Sequence, residues 1–355
     1  MFWLTLLGVL LMGQEPAGGF PGQQVWEALL KREAQGPQGD PALWEANRAL
    51  ARLHLEKAQL LLNAGWSQAA QEEVRKAQKA LERLAQGERP YAGQAGLQEW
   101  AYVCRTDGSA QPYFVAVPEE APPPQGWPMV LFLHGYDPAI TKINPWVFGE
   151  QEWSLFTQKG VLLVIPYGRR NSDFLRIGEV DCLRVLEEAT RLFPVDADRV
   201  YVMGASMGGY GAWNLALHYP DRFAAVAPIA AHSDFYLWER RDRNTTPRFK
   251  RTLLSMENPL DLAANALHLG IYFQHGGEDT LVVTEHSRQM AQRFQALGYP
   301  FEYEEIPEGS HYIYWEPQCY ERALKRILGY RRSLFPERVR YVTYHLRYHR
   351  AYWVR

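Results

Sequence analysis

The sequence predicts an α/β protein: a doubly wound, mostly parallel sheet with an N-terminal helical hairpin and a short C-terminal β tail. Three observations predict it. Residues 129–133 and 161–165 are continuous apolar runs, the mark of strands buried on both faces. Segments of helical period, residues 180–192 and 285–297, alternate with such runs, as in a parallel sheet covered by helices. Before residue 95 the apolar residues recur at helical spacing instead.

Composition agrees with a folded chain. The 355 residues suit one large α/β domain with an appendage, and 47% apolar with 22% charged residues is ordinary globular composition. A net charge of −2 gives no electrostatic reason to expect nucleic acid. Twelve Trp and twenty Tyr suit either a sugar- or aryl-binding surface or a core with an aromatic rim. Cys104, Cys182 and Cys319 form no metal-ligand pattern, and at most one disulfide could join them.

Residues 2–12 are almost wholly apolar, too short to span a bilayer and suited to the apolar part of a signal peptide. No Lys or Arg precedes them and no Ala-x-Ala site follows. Residues 1–19 are read as signal peptide and linker, which predicts a secreted or periplasmic protein. A misassigned start or an uncleaved anchor is the alternative, and without a signal the protein would be cytoplasmic.

Residues 20–95 are read as helical. After a short helix at 23–33, Asp40-Pro41 supplies a cap and a first-turn proline. Leu43, Ala46, Leu50, Leu53 and Leu60 then mark one face, up to Asn63-Ala64-Gly65. A third helix at 67–85 carries Ala70, Val74, Ala77, Leu81 and Leu84 on one face and ends at Gly87. The short Gly65-Trp66 link makes the last two antiparallel. One such unit cannot bury its own face, so a brace or lid is expected rather than a free docking module.

Residues 96–336 are read as the catalytic domain. Strands at 97–105 and 111–117 flank the turn Thr106-Asp107-Gly108-Ser109, and further strands follow at 129–133, 161–166, 199–203, 224–231, 270–274 and 301–306. Residues 337–355, with Tyr341, Tyr344, Tyr348, Tyr352 and Trp353, are read as a tail of one or two strands with poor alternation.

Gly204-Ala205-Ser206-Met207-Gly208 follows an apolar strand and precedes the helix-like stretch 212–218. A strand, sharp turn and helix with serine at the tip is the geometry of an exposed nucleophile beside helix-start N–H groups. The bare pattern is common by chance, so its context has to carry the assignment.

That context is a resemblance. Leu131-Phe132-Leu133-His134-Gly135, Pro166-Tyr167-Gly168-Arg169, Asp198-Arg199-Val200-Tyr201 and Gly204-Ala205-Ser206-Met207-Gly208-Gly209 resemble the α/β-hydrolase superfamily. Within it they are similar to bacterial esterases of the prolyl-oligopeptidase-like, feruloyl-esterase and polyhydroxybutyrate-depolymerase-related group, over residues 98–330. The resemblance implies the order serine, acid, histidine. The stretch 274–283 resembles the acid loop and implies Asp279, with Glu278 as its rival. Family position and loop context imply His311 as the base, with His232 and His286 as rivals, while His134 is structural in such loops. The oxyanion donors implied are the backbone N–H groups of Met207 and Tyr136, although Asp137 departs from the usual glycine-rich loop.

Trp146, Trp153, Tyr236, Trp238 and Tyr312 are the substrate-pocket candidates, packing being the competing role for each. Arg240, Arg241, Arg243, Arg248, Lys250 and Arg251 form a basic cluster read as a solvated loop rather than an acid-binding site. The expected function is a serine carboxylester hydrolase working through an acyl-enzyme on aryl (feruloyl-like) or acetyl esters of plant polysaccharide. It needs no metal and no organic cofactor. A prolyl-oligopeptidase-type peptidase is the alternative; those carry a β-propeller, which the helical residues 20–95 cannot make. A non-catalytic binding protein is the lesser one. The expected partner is a small-molecule or polysaccharide-linked ester, with no nucleic acid and no stable membrane insertion after signal removal. The oligomeric state stays open.

Overall fold

The computed structural model describes residues 20–355, so the signal-peptide expectation lies outside the described residues. The described residues divide into two compact units: residues 20–92 with 100–112, and residues 93–99 with 113–355.

The first unit holds helices α1 (Gln23–Gln35), α2 (Pro41–Asn63) and α3 (Ser67–Gln86). Asp40 caps α2 by accepting from the Ala42 amide at 2.8 Å. The Gly65-Trp66 link turns the chain with the Trp66 amide donating to the Leu61 carbonyl. Ala46, Ala49, Leu50 and Leu53 are buried on α2, as are Ala70, Val74 and Ala77 on α3. Between these helices lies a buried polar pair: His54 Nδ1 is 2.7 Å from Glu73, whose other oxygen accepts from Lys76.

The sheet comprises β1 (Gly96–Val103), β2 (Ala110–Val117), β3 (Trp127–Leu133), β4 (Leu162–Pro166), β5 (Val195–Ala205), β6 (Ala225–Ile229), β7 (Gly270–Gly276) and β8 (Glu302–Ile306). Their order is β1-β2-β4-β3-β5-β6-β7-β8. β2 is antiparallel to β4, and from β4 to β8 all neighbours are parallel. The order reverses around β3, so this is the doubly wound sheet expected.

Helices α4 (Glu150–Thr157), α5 (Ile177–Leu192), α6 (Met207–His218), α7 (Phe235–Trp238), α8 (Arg248–Ser255), α9 (Pro259–Leu262), α10 (Glu285–Leu297) and α11 (Pro317–Ile327) lie in the second unit. Every residue of β3, β4, β6 and β7 is buried, which explains the unbroken apolar runs of β3 and β4. On one face Phe132, Phe148, Phe156 and Tyr320 form a single aromatic cluster. Helix α6 is buried on all sides, so the strand–turn–helix unit around Ser206 sits in the middle of the core.

One expectation needs correction. The tail is not a β element: residues 337–355 contain one 3₁₀ turn, Leu346–Tyr348, and one isolated bridge, Ala351 to Val354. Lacking alternation, it buries no strand face and is held by single side chains instead. Tyr341 donates to the His218 carbonyl at 2.9 Å, Tyr348 to Glu179 at 2.7 Å, and Tyr352 to the Pro220 carbonyl at 3.0 Å. The three cysteines, whose disulfide state the sequence left open, are free and buried.

Candidate active site

Ser206 stands between β5 and α6 with φ +55° and ψ −117°, a backbone that side-chain-bearing residues rarely adopt. The neighbours make this turn possible. A Cβ on Gly204 would collide with the Gly208 carbonyl, and one on Gly208 with the Leu133 carbonyl. The Ser206 amide is tied to the Ile229 carbonyl at 2.8 Å. Ser206 is half-buried at the tip, as its sequence context predicts.

Asp279 and His311 reach it from the ends of β7 and β8. His311 Nε2 is 2.8 Å from Ser206 Oγ, and His311 Nδ1 is 2.7 Å from Asp279 Oδ2. A carboxylate only accepts, so Nδ1 carries the proton and Nε2 is free to accept from the serine. The Leu281 and Val282 amides donate to Asp279 Oδ1 at 2.9 and 2.8 Å. Burial raises the Asp279 pKa, but bonds from His275 and His311, with the Val282 amide, outweigh this and hold it well below the usual carboxylate range. The rival Glu278 is exposed, and its amide donates to the Gly309 carbonyl.

The rival histidines are engaged with other partners. His232 is sandwiched between Tyr210 at 4.2 Å and Trp238 at 4.9 Å, and burial pushes it down to about 3. Burial holds His286 at about 4, and its Nδ1 accepts from the Ser233 amide.

The loop after β3 lies against the elbow: a Cβ on Gly135 would stand 3.7 Å from that of Ser206. His134 is fully buried at its base, 3.2 Å from the Tyr167 carbonyl. Asp137, the departure from the usual loop, has a local role. Its carboxylate accepts from the Ala139 amide, and its backbone exchanges two hydrogen bonds with the Asn171 side chain, at 3.1 and 2.9 Å. Tyr136 is thus held between Gly135 and a pinned residue, its own side chain exposed. Met207 is the first residue of α6, so its N–H is one of those the helix leaves without an internal partner.

The pocket candidates divide. Trp146 stacks on Phe132 at 5.7 Å, Trp153 packs against the same cluster, and Tyr236 is buried with the Arg243 guanidinium 4.7 Å over its ring. All three rings are engaged in packing contacts. Trp238 and Tyr312 are exposed, Tyr312 stacked on Trp315 at 4.1 Å beside His311. In the basic cluster Arg241 pairs with Glu239 and Arg243 with Asp261.

Sequence reasoning missed two residues. His275 sets its Nε2 3.1 Å from Asp279 Oδ2, and Asn171 pins the loop after β3. Neither left a usable signal.

Residues 184–325 match the model of the Esterase family. An uncharacterized secreted protein of Arthroderma benhamiae is 32% identical over 124 residues, covering 33% of this chain and 13% of the relative. Dipeptidyl-peptidase 5 of Porphyromonas gingivalis is 27% identical over 154 residues, 39% of this chain and 22% of the relative. The chain thus spans less than a quarter of the length of either curated relative. The S-formylglutathione hydrolase of Staphylococcus aureus superposes with a TM-score of 0.51 at 18% identity, over 66% of this chain and 99% of that one. Among the described residues no helix is long and apolar enough to cross a membrane. The chain has the α/β-hydrolase fold, and its residues 184–325 are similar to the Esterase family.

Proposed function

We propose that the protein is a serine carboxylester hydrolase in which Ser206, His311 and Asp279 form the catalytic triad. The observation that carries this is the continuous hydrogen-bonded path from Ser206 Oγ through His311 to Asp279. Ser206 attacks the ester carbonyl and passes its proton to His311 Nε2, while Asp279 holds Nδ1–H and stabilises the imidazolium. The Met207 and Tyr136 amides hold the oxyanion. His311 then protonates the leaving alcohol, and water cleaves the acyl-enzyme by the reverse sequence. The exposed rings of Tyr312, Trp315 and Trp238 favour esters with an aryl or sugar component, and the residues upstream of 20, with the secreted relative, favour export.

A second reading, a serine peptidase, draws on the likeness to Dipeptidyl-peptidase 5. One experiment separates them. The protein and Ser206→Ala are labelled with a fluorophosphonate, then assayed on aryl and acetyl esters and on proline peptides. Labelling of the intact protein alone, with ester turnover, is expected. Labelling that persists in Ser206→Ala defeats the nucleophile assignment, and peptide turnover without ester turnover selects the peptidase.

A further inference from the structure

Helix α8 turns apolar residues outward. A short helix is normally held by an apolar face laid on the core. On α8 only Ser255 is buried, its hydroxyl donating to Asp261 Oδ2 at 2.7 Å. Phe249 and Leu253, four apart and so on one face, are 70% and 56% exposed. At about 100° per residue, Arg248 and Lys250 stand on either side of this ridge. The first turn carries no acid, although the helix dipole favours acids there and disfavours cations. These cations therefore do nothing for the helix itself.

Positive charge is concentrated around the ridge. Residues 240–251 hold six cations, Arg240, Arg241, Arg243, Arg248, Lys250 and Arg251, against one acid, Asp242, in a chain of net charge −2. Arg241 pairs with Glu239 and Arg243 with Asp261, while the other four make no ion pair among the described residues. A solvated loop accounts for the charge but leaves the ridge in water. A soluble polyanion would also use the charge alone. An anionic lipid surface takes both: its headgroups meet the cations, and its acyl boundary takes the apolar side chains.

We propose that α8 docks the second unit on anionic phospholipid, with Phe249 and Leu253 in the headgroup–acyl boundary and Arg248, Lys250 and Arg251 at the phosphates. The excursion that carries α8 is rooted at both ends on Tyr210, one helical turn after Ser206. The Tyr210 ring stacks on His232 at 4.2 Å, and its hydroxyl donates to the Glu257 carbonyl at 2.8 Å. The excursion leaves from the C-terminal end of β6, the sheet edge that also carries Ser206, Asp279 and His311. Docking at α8 therefore sets that edge toward the lipid. The binding itself does not depend on Ser206 being a nucleophile.

Sedimentation of the full chain with vesicles tests this, using phosphatidylglycerol and phosphatidylcholine in equal parts against phosphatidylcholine alone. The intact protein should bind the anionic vesicles and not the neutral ones. Arg248→Gln/Lys250→Gln/Arg251→Gln should weaken binding about fivefold per cation, about 100-fold together. Phe249→Ser/Leu253→Ser should weaken it about tenfold or more, with the thermal midpoint and kcat on a soluble aryl ester at intact values. Phe249→Trp enlarges the ridge and should bind more tightly. An intact protein that stays in the supernatant overturns the proposal, as does equal binding to both vesicle types. Full binding by Phe249→Ser/Leu253→Ser, with loss in the charge variant, also overturns it and points to a soluble polyanion, for which polygalacturonate is the probe. Unchanged or weaker binding by Phe249→Trp overturns the insertion even where the serine variant is unstable. Failure to take a fluorophosphonate would overturn the hydrolase reading and leave the vesicle result standing.

Discussion

His275 and His311 meet on one atom: His275 Nε2 and His311 Nδ1 lie 3.1 and 2.7 Å from the same oxygen of Asp279, Oδ2. His275 is fully buried and held from its other side, Nδ1 facing Ser287 Oγ at 2.7 Å. Its Nε2 faces two acceptors, Asp279 and the Val282 carbonyl, so that nitrogen carries the proton. The acid is thereby fixed by a second imidazole that never touches the serine.

Replacing His275 by Gln should lower kcat about tenfold, from the loss of one hydrogen bond to a charged group. Asp279 then loses a donor, and its carboxylate protonates at higher pH than in the intact protein. The acid limb of the kcat/KM profile should therefore move up. A variant with unchanged kcat and an unmoved limb would show that His275 only fills space.

Asp279 also ties stability to pH. Its pKa is depressed in the folded state, so its contribution is full above the ordinary carboxylate range and is lost as pH falls toward the depressed value. Asp279→Asn should flatten the dependence of thermal midpoint on pH below about 5. It should also lower kcat by about 10⁴-fold, because the amide favours the wrong histidine tautomer. Midpoint curves of equal slope for the two proteins would contradict the linkage.

The tail should matter for stability more than for chemistry. Glu179 is fully buried and accepts from the hydroxyls of Tyr219 at 2.6 Å and Tyr348 at 2.7 Å, with Arg347 at 2.9 Å. Tyr348 also stacks on His218, the last residue of the nucleophile helix, at 3.7 Å. Tyr348→Phe leaves Glu179 one donor short, at about 1–3 kcal/mol. Urea or thermal unfolding should register this, with kcat changed less than about twofold. An unchanged unfolding free energy would mean that water replaces the hydroxyl without cost.

In the helical unit, Glu73 is held at about 2. Burial alone would raise it, and the His54 and Lys76 partners overcome that. The pair's contribution should be complete above the ordinary glutamate range and fade as pH falls toward 2. His54→Asn should make the midpoint less sensitive to pH between about 5 and 2, followed by circular dichroism. Parallel curves would rule out the pair as an acid-labile tie.

The loop after β3 gives a kinetic test. Asn171→Ala removes both side-chain bonds to the Asp137 backbone, which should loosen the Tyr136 amide. The expected effect is a fall in kcat of about tenfold with KM nearly unchanged, the pattern of a contact made mainly in the transition state. An effect on KM alone would place Asn171 in substrate binding.

The amino-acid sequence by itself determined the parts governed by local rules. Continuous apolar runs had to be buried strands, helical-period segments had to cover them, and Asp40-Pro41 had to open a helix. The small residues around Ser206 allowed a turn that larger ones would block. What only the tertiary structure decided depends on residues distant in sequence meeting in space. Asp279 rather than Glu278 faces His311 because the loop after β7 buries one carboxylate and turns the other to solvent. His275 and Asn171 work through partners 4 and 34 residues away across turns that no spacing rule encodes. The tail carried aromatic residues that read as strand, yet they dock one at a time on α6 and Glu179, because the partners were already placed by the sheet. Trp146 and Trp153 show the same limit: an aromatic residue next to a site can pack or bind, and only the surrounding core chooses.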